Sequence, residues 1–217
     1  MSSPLPTKIG IILFPGFQLL DAAGPLDAFS LLSQQHPLEI SILGATISPI
    51  STAHAMQSSG ACIVPTHTFA QARELGLDVL VLPGGLGTRT EENVREVVEF
   101  VKSLGPEGVR WMLTVCTGSE VLARTGWLDG RRATTNKRAF NEVKAKHPAV
   151  QWVPKARWVV DGNIWTSSGI SAGIDLAFAW IADVFGEDIA QFVADRSEYE
   201  RNVNANDDRF AERWGAV

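Results

Sequence analysis

Apolar residues gather along the chain in short continuous runs that end at turn residues. Ile9–Phe14 stops at Pro15-Gly16, Val79–Leu82 at Pro83-Gly84-Gly85, and Val109–Val115 at Cys116-Thr117-Gly118. Continuous rather than alternating apolarity is the pattern of strands buried on both faces, as in a parallel sheet. Leu38–Leu43 reads as a fourth strand. Between these runs the period becomes helical, over Leu20–Leu32, Ala70–Leu75 and Glu91–Leu104. In the last of these, Val94, Val97, Val98 and Val101 mark one face.

Beyond Cys116, Ser119–Thr125 reads as a helix closed by Gly126, and Arg138–Lys146 as a helix ending at His147-Pro148. Strands are predicted at Gln151–Val153, Trp158–Val160 and Ile164–Thr166, the last two around a tight turn at Asp161-Gly162. Ser171 stands where it would cap a helix to Phe185, with Ile174, Phe178, Ile181 and Phe185 as its apolar stripe and Gly186 as its stop. A further helix is expected from about Glu187 to Arg201. There is no internal repeat, linker or low-complexity tract. The β–α alternation predicts an α/β fold with one doubly wound, mostly parallel sheet and helices on both faces. The expected domain is single, 1–217, with its core over about 8–200 and a tail over 201–217. Ligands of such sheets bind beyond the carboxyl ends of the strands. Pro15–Asp21, Pro83–Thr88 and Cys116–Ser119 are therefore the segments to inspect.

Composition narrows the partners. The chain has 217 residues, 45% hydrophobic and 20% charged, enough to bury a core without disulfide or metal staples. A net charge of −5 argues against nucleic acid or an anionic membrane as the partner. The two cysteines, Cys62 and Cys116, make no disulfide framework and suggest a reducing compartment. Met1–Lys8 lacks a basic stretch followed by an apolar core, and the run Ile9–Leu20 is short and broken by Gly10, Pro15 and Gly16. The uncharged stretch Ile40–Ala72 is too rich in Ser, Thr, Gln and Pro to span a bilayer. A cytoplasmic protein is expected.

Thr114-Val115-Cys116-Thr117-Gly118-Ser119 has the shape of a nucleophile elbow, in which a strand ends, one residue occupies the turn and a helix begins. A thiol there faces free N–H groups and the positive end of a helix dipole, which is expected to lower its pKa. The bland alternative is a structural cysteine. Cys62, in the segment from Ser58 to Pro65 without a helix start, serves as the control and is read as core or hairpin. Asp21 follows the first strand's loop and can face the same edge as Cys116, where a carboxyl can hold or deliver a proton. Its alternative role is a helix N-cap. Asp27 is expected to cap a turn or face solvent.

The Pro83-Gly84-Gly85-Leu86-Gly87 loop is neither a dinucleotide fingerprint nor a P-loop. Its Gly84–Gly85 pair can bring backbone N–H groups to a ligand, or simply make a tight turn. The four histidines form no triad and have no metal-ligand spacing, so no metal site is expected. His36 and His147, each before a proline, read as surface caps, and His54 and His67 fall in the polar insertion. The seven tryptophans, Trp214 included, read as core or interface filling. The mixed-charge run Asp195–Arg213 reads as a solvated helix and tail.

With these pieces placed, the sequence resembles the DJ-1/PfpI superfamily over roughly Lys8 to Tyr199. The markers are Asp21-x-x-Gly24-Pro25-x-Asp27, Leu82-Pro83-Gly84-Gly85, Val115-Cys116-Thr117-Gly118-Ser119, the stretch Leu128 to Thr135 and the stretch Ser168 to Asp175. Together they are similar to the branch of bacterial isocyanide (isonitrile) hydratases and of the sensor domains of AraC-type regulators. The resemblance implies a flavodoxin-like fold, a homodimer, and Cys116 as a nucleophile in a strained conformation. It implies a catalytic role for Asp21, with Thr117 following the nucleophile. It places Gly85 beside the cysteine as a backbone donor, and Gly169 and Ile170 against the elbow helix. Many relatives carry a histidine after Thr135, where this chain has Asn136-Lys137. That departure weakens a Cys–His peptidase or amidase reading.

The function expected is cofactor-independent hydration of an isocyanide to an N-substituted formamide. Cys116 is the nucleophile, Asp21 the proton carrier, and Thr117, Gly84, Gly85, Gly169 and Ile170 surround a small-molecule substrate. The alternatives are glyoxalase- or deglycase-type chemistry on α-oxoaldehydes, or a cysteine redox or small-molecule sensor. Direct transcription control is not expected, since no helix-turn-helix follows the last helix.

Overall fold

The computed structural model describes residues 4–57 and 59–216. Met1–Ser3, Ser58 and Val217, which belong to the expected domain and, for Ser58, to the segment around Cys62, lie outside the described residues.

The three continuous apolar runs form the centre of one sheet. β1 (Lys8–Ile12), β2 (Glu39–Gly44), β3 (Ile50–Ser51), β4 (Cys62–Ile63) and β5 (His67–Thr68) make the first half. β6 (Val79–Leu82), β7 (Trp111–Thr114), β8 (Arg132–Ala133), β9 (Gln151–Trp152), β10 (Trp158–Asp161) and β11 (Ile164–Ser167) make the second. Seven of them build the main sheet in the order β10-β11-β7-β6-β1-β2-β5. Its pairs are parallel except the β10–β11 hairpin. Both faces of the central strands are covered: Ile9, Ile11, Ile12 and all of Val79–Leu82 are inaccessible to solvent. β3–β4 and β8–β9 are separate two-stranded pairs.

The helices are α1 (Leu19–Leu32), α2 (Phe69–Ala72), α3 (Glu91–Leu104), α4 (Gly118–Ala123), α5 (Phe140–Lys146), α6 (Ala172–Phe185), α7 (Glu187–Arg196) and α8 (Phe210–Arg213). α1, α6 and α7 pack on one another, and α2, α3 and α4 form a second group. The fold is the expected mostly parallel, flavodoxin-like α/β sheet with helices. None of the helices among the described residues is long and apolar enough to cross a membrane. Strand order reverses at β1, which lies between β2 and β6. The loops after β1 and β6 therefore part at one crevice, with the end of β7 beside it, and such a switch point is where α/β sheets hold ligands.

Several expectations need correction. The helix expected to reach Arg201 stops at Arg196. Glu198 there turns to φ 50°, and the buried Asp175 carboxylate draws the chain away by accepting from Tyr199 Oη and the Asn202 N–H, each at 2.9 Å. Ser171 stands at the N-cap of α6 but makes no side-chain capping bond, its backbone being already helical. Asp21 is not an N-cap either; Gln18 holds that place and Asp21 lies in the first turn. The run Asp195–Arg213 is not wholly solvated, because Asp208 is buried and the neighbouring Ala211 packs on Phe140.

Candidate active site

Three strand ends converge. The loop after β1 leads to Asp21, the loop after β6 carries Gly84 and Gly85, and Cys116 stands two residues beyond the end of β7. The first two are joined where the Gln18 N–H donates to Gly84 O at 2.8 Å. Gly118 lets the third approach: a Cβ there would stand 2.2 Å from Leu82 O. No residue but glycine fits an elbow packed this closely on the neighbouring strand.

Cys116 has φ 59°, a left-handed conformation that costs a non-glycine residue energy. The surroundings impose it. Its N–H donates to Ser168 O at 3.0 Å. Its carbonyl accepts the hydroxyls of Ser119 and Thr135, each at 3.0 Å. Around the sulfur stand the backbone N–H groups of Thr117 and Ile170 and the Asn136 side chain, all favouring the thiolate. Burial and the neighbouring Asp21 charge outweigh them and push the thiol pKa up. The expectation of a lowered thiol pKa is thus overturned. α4 has only six residues, and its donors do not compensate for desolvation of a sulfur facing a carboxylate.

Asp21 is fully buried. Its Oδ2 accepts from the Gly84 N–H at 3.0 Å. Its Oδ1 is buried with no hydrogen-bond partner of ordinary geometry among the described residues. Burial pushes its pKa up to about 7, against smaller downward contributions from Gly84 and from the Cys116 thiol beside it. The resting pair near neutral pH is therefore a thiol facing a carboxyl group poised to gain or lose a proton. A carboxyl with such a pKa suits acid–base work at physiological pH.

The glycine pair is spoken for. Gly84 N–H serves Asp21, and Gly85 N–H donates to Thr117 Oγ1 at 3.0 Å. Thr117 Oγ1 also accepts from Thr88 Oγ1 at 3.2 Å. So Gly85 lines the pocket without a free N–H donor, contrary to expectation, and Gly84 acts through Asp21. Gly169 and Ile170 both line the pocket beside the elbow. Gly169 makes room for Asn136, whose Nδ2 would lie 2.5 Å from a Cβ at 169. Ile170, at φ 47°, directs its N–H to the sulfur.

A cavity of about 440 Å³ opens above the sulfur, lined by Cys116, Thr117, Gly85, Asn136, Gly169 and Ile170 among others. That volume suits a small organic ligand. A larger hollow of about 820 Å³ lies against α1, lined by Leu20, Ala23, Leu26, Asp27 and neighbours, with no cysteine among its lining residues. The exposed Asp27 faces this hollow, away from the chemistry. Among the described residues, no group of three or more His, Cys, Asp or Glu side chains is placed to hold a metal ion.

Sequence reasoning missed Asn136 as a participant, although it singled out the position. An amide there keeps its Oδ1 on the Ala139 N–H at 3.2 Å and turns its nitrogen toward Cys116. Trp214 was misassigned: half-exposed, it lines the pocket together with Phe210 rather than filling a core. Cys62 is exposed in the β3–β4 hairpin. His147 is not a plain surface cap; its Nε2 lies 3.5 Å from the buried Glu120. His36 packs its ring 5.0 Å from that of Phe185.

The DJ-1/PfpI family model matches residues 7–183, which include the three strand ends and Asn136. The chain belongs to the DJ-1/PfpI family. An isonitrile hydratase of Pseudomonas putida is 35% identical over 193 residues, 88% of this chain and 78% of that protein. The transcriptional regulator GbdR of Pseudomonas aeruginosa is 27% identical over 202 residues, 93% of this chain but 53% of the regulator. A ThiJ/PfpI family protein from Pseudomonas syringae superposes with a TM-score of 0.77 at 28% identity, covering 91% of this chain and 76% of that one. The DJ-1/PfpI family thus contains both an enzyme and a regulator similar to this chain.

Proposed function

We propose that this protein hydrates isocyanides, R–NC, to N-substituted formamides. The observation that carries the reading is the Cys116–Asp21 pair under the pocket with Asn136 beside the sulfur and, among the described residues, no histidine lining the pocket. The 35% identity to an isonitrile hydratase supports it.

Asp21 carboxylate takes the thiol proton as the sulfur attacks the terminal carbon. A sulfur–carbon bond forms and the proton passes from Asp21 to that carbon, leaving the thioimidate R–N=CH–S–Cys116. Water then adds across the C=N bond, hydroxyl to carbon and proton to nitrogen, with Asp21 as the relay. The carbon–sulfur bond breaks as the carbonyl forms, the hydroxyl proton returns to sulfur, and the formamide leaves. A soft, neutral electrophile suits sulfur, and the covalent route divides one barrier into two. The Thr117 and Ile170 N–H groups and the Asn136 amide stabilise the negative charge that grows on sulfur as its proton leaves.

The test is formamide production from phenyl isocyanide by wild-type protein and Cys116→Ala. Turnover that falls to the uncatalysed rate in the variant supports the reading. Turnover that survives the substitution contradicts it. Conversion of methylglyoxal to lactate without any formamide production would move the pair to α-oxoaldehyde chemistry. The reading includes a homodimer, checked by sedimentation equilibrium.

A further inference from the structure

The C-terminal segment lies beyond residue 183, where the family match ends, yet it builds one wall of the Cys116 pocket. Two anchors hold it. The first is the Asp175 carboxylate, which accepts from Tyr199 and Asn202 and is paired with Arg157 at 2.6 Å. The second is the buried Asp208, which faces the charge of the buried Lys137. The Lys137 ammonium is itself fixed by donating to Thr134 Oγ1 and Ala156 O, each at 2.7 Å. So fastened, α8 presents Phe210 and Trp214 to the cavity, where Leu86 and Ile170 add apolar surface.

The charge at this rim runs against the charge of the chain. Net charge is −5 overall, but Arg89 and Arg138 line the pocket and no lining residue is acidic. Among the described residues, Arg138 makes no ion pair; its guanidinium lies 5.5 Å from the Trp214 ring centre. Arg89 has Glu142 at 3.9 Å, with both side chains at least half exposed, a pair that solvent screens heavily. A guanidinium held over an aromatic face, beside an apolar cavity, matches a ring that carries a carboxylate.

We propose that Arg138, Phe210 and Trp214 form a rim subsite that selects substrates in which the reacting group is attached to an aromatic ring bearing an anionic group. For its chemistry the proposal rests on the hydratase reading, making the substrate class carboxylated aryl isocyanides; for its binding it does not.

Two experiments separate these. In the first, kcat/KM is measured for phenyl isocyanide, a carboxyphenyl isocyanide and a small alkyl isocyanide. The carboxyphenyl compound is expected to exceed phenyl by about tenfold, carried by KM, as befits one charge-assisted hydrogen bond. Arg138→Gln is expected to remove that margin, bringing the carboxyphenyl compound to parity with phenyl isocyanide measured in the same variant. Trp214→Ala lowers both aryl compounds relative to the alkyl one. In the second experiment, Cys116 is alkylated by iodoacetate or iodoacetamide and followed on its own peptide, which excludes Cys62. Sulfur displaces iodide in both cases, and only the charge of the reagent differs. Arg138→Gln is expected to lower the iodoacetate-to-iodoacetamide rate ratio severalfold. A lowered ratio in a protein that makes no formamide would keep the subsite and refute the hydratase reading. An unchanged ratio, or formamide production with no preference for the carboxylated ring, overturns the subsite.

Discussion

The floor and the rim of the pocket are built in opposite ways. At the floor, Asp21, Cys116, Ser119, Thr135 and Ser168 are all buried, and the strained Cys116 backbone is tied by three hydrogen bonds of 3.0 Å. At the rim, Arg138, Phe210 and Trp214 are exposed or half-exposed; the Arg138 guanidinium lies 5.5 Å from the Trp214 ring centre, and that of Arg213 5.0 Å from the Phe210 ring centre. The floor comes from the ends of central strands, the rim from a short turn and the last helix. Groups that must meet at fixed distance are over-determined by the sheet. Groups that choose among ligands sit where they can change without disturbing it.

The largest effect that would sharpen this contrast is expected from Asp21→Asn. Without its proton relay, kcat/KM for isocyanide should fall by about 10²–10⁴, the usual range for removing a general acid–base. In wild type, activity should rise with pH through about 7 as Asp21 ionises. The same substitution tests stability in the opposite direction. The folded chain holds the Asp21 proton up to about 7 and the unfolded chain releases it near 3.8. Between those values the native state binds more protons, so stability falls as pH rises. Asp21→Asn should therefore raise Tm at pH 8 by several degrees and change it less at pH 4, read by thermal unfolding at both. A Tm at pH 8 equal to wild type would mean that the buried carboxyl is not destabilising.

Gly118→Ala comes next. Its Cβ meets the backbone oxygen Leu82 O, which cannot swing aside. Overpacking of this kind costs about 1–3 kcal/mol or more, and it should show as a lower denaturation midpoint. Asn136→Ala should lower kcat by roughly 10-fold or more, as for loss of one donor to a developing charge, and lower the midpoint only by the lost cap on the Ala139 N–H, about 0.5–2 kcal/mol. If KM moves and kcat does not, Asn136 serves binding rather than the sulfur. Cys62→Ser marks the smallest effect: an exposed thiol in a two-residue strand should leave both activity and Tm unaltered, within about 0.5 kcal/mol.

The legibility of the sequence follows the same division. Val79–Leu82 and Glu91–Leu104 were readable to the residue, because continuous apolarity and helical period record burial directly. The strand-end rule led to Asp21, Gly85 and Cys116 together. Asn136 was harder, since its role depends on a gap that Gly169 leaves in a distant loop. The raised thiol pKa was hidden because a local motif shows the helix donors but not the depth of burial or the carboxyl opposite. The tail was misread for a similar reason. Asp208 and Lys137 are far apart in sequence, and alone each reads as a solvated charge.

The central claim is that Cys116 sulfur bonds to the isocyanide carbon during turnover. Wild-type protein mixed with phenyl isocyanide, quenched with acid within the first turnovers and digested, tests it by peptide mass. The account predicts that the Cys116 peptide carries one added isocyanide, that the adduct decays as N-phenylformamide appears, and that Cys62 stays unmodified. Formamide formed at full rate with Cys116 unmodified, and still formed by Cys116→Ala, would contradict it.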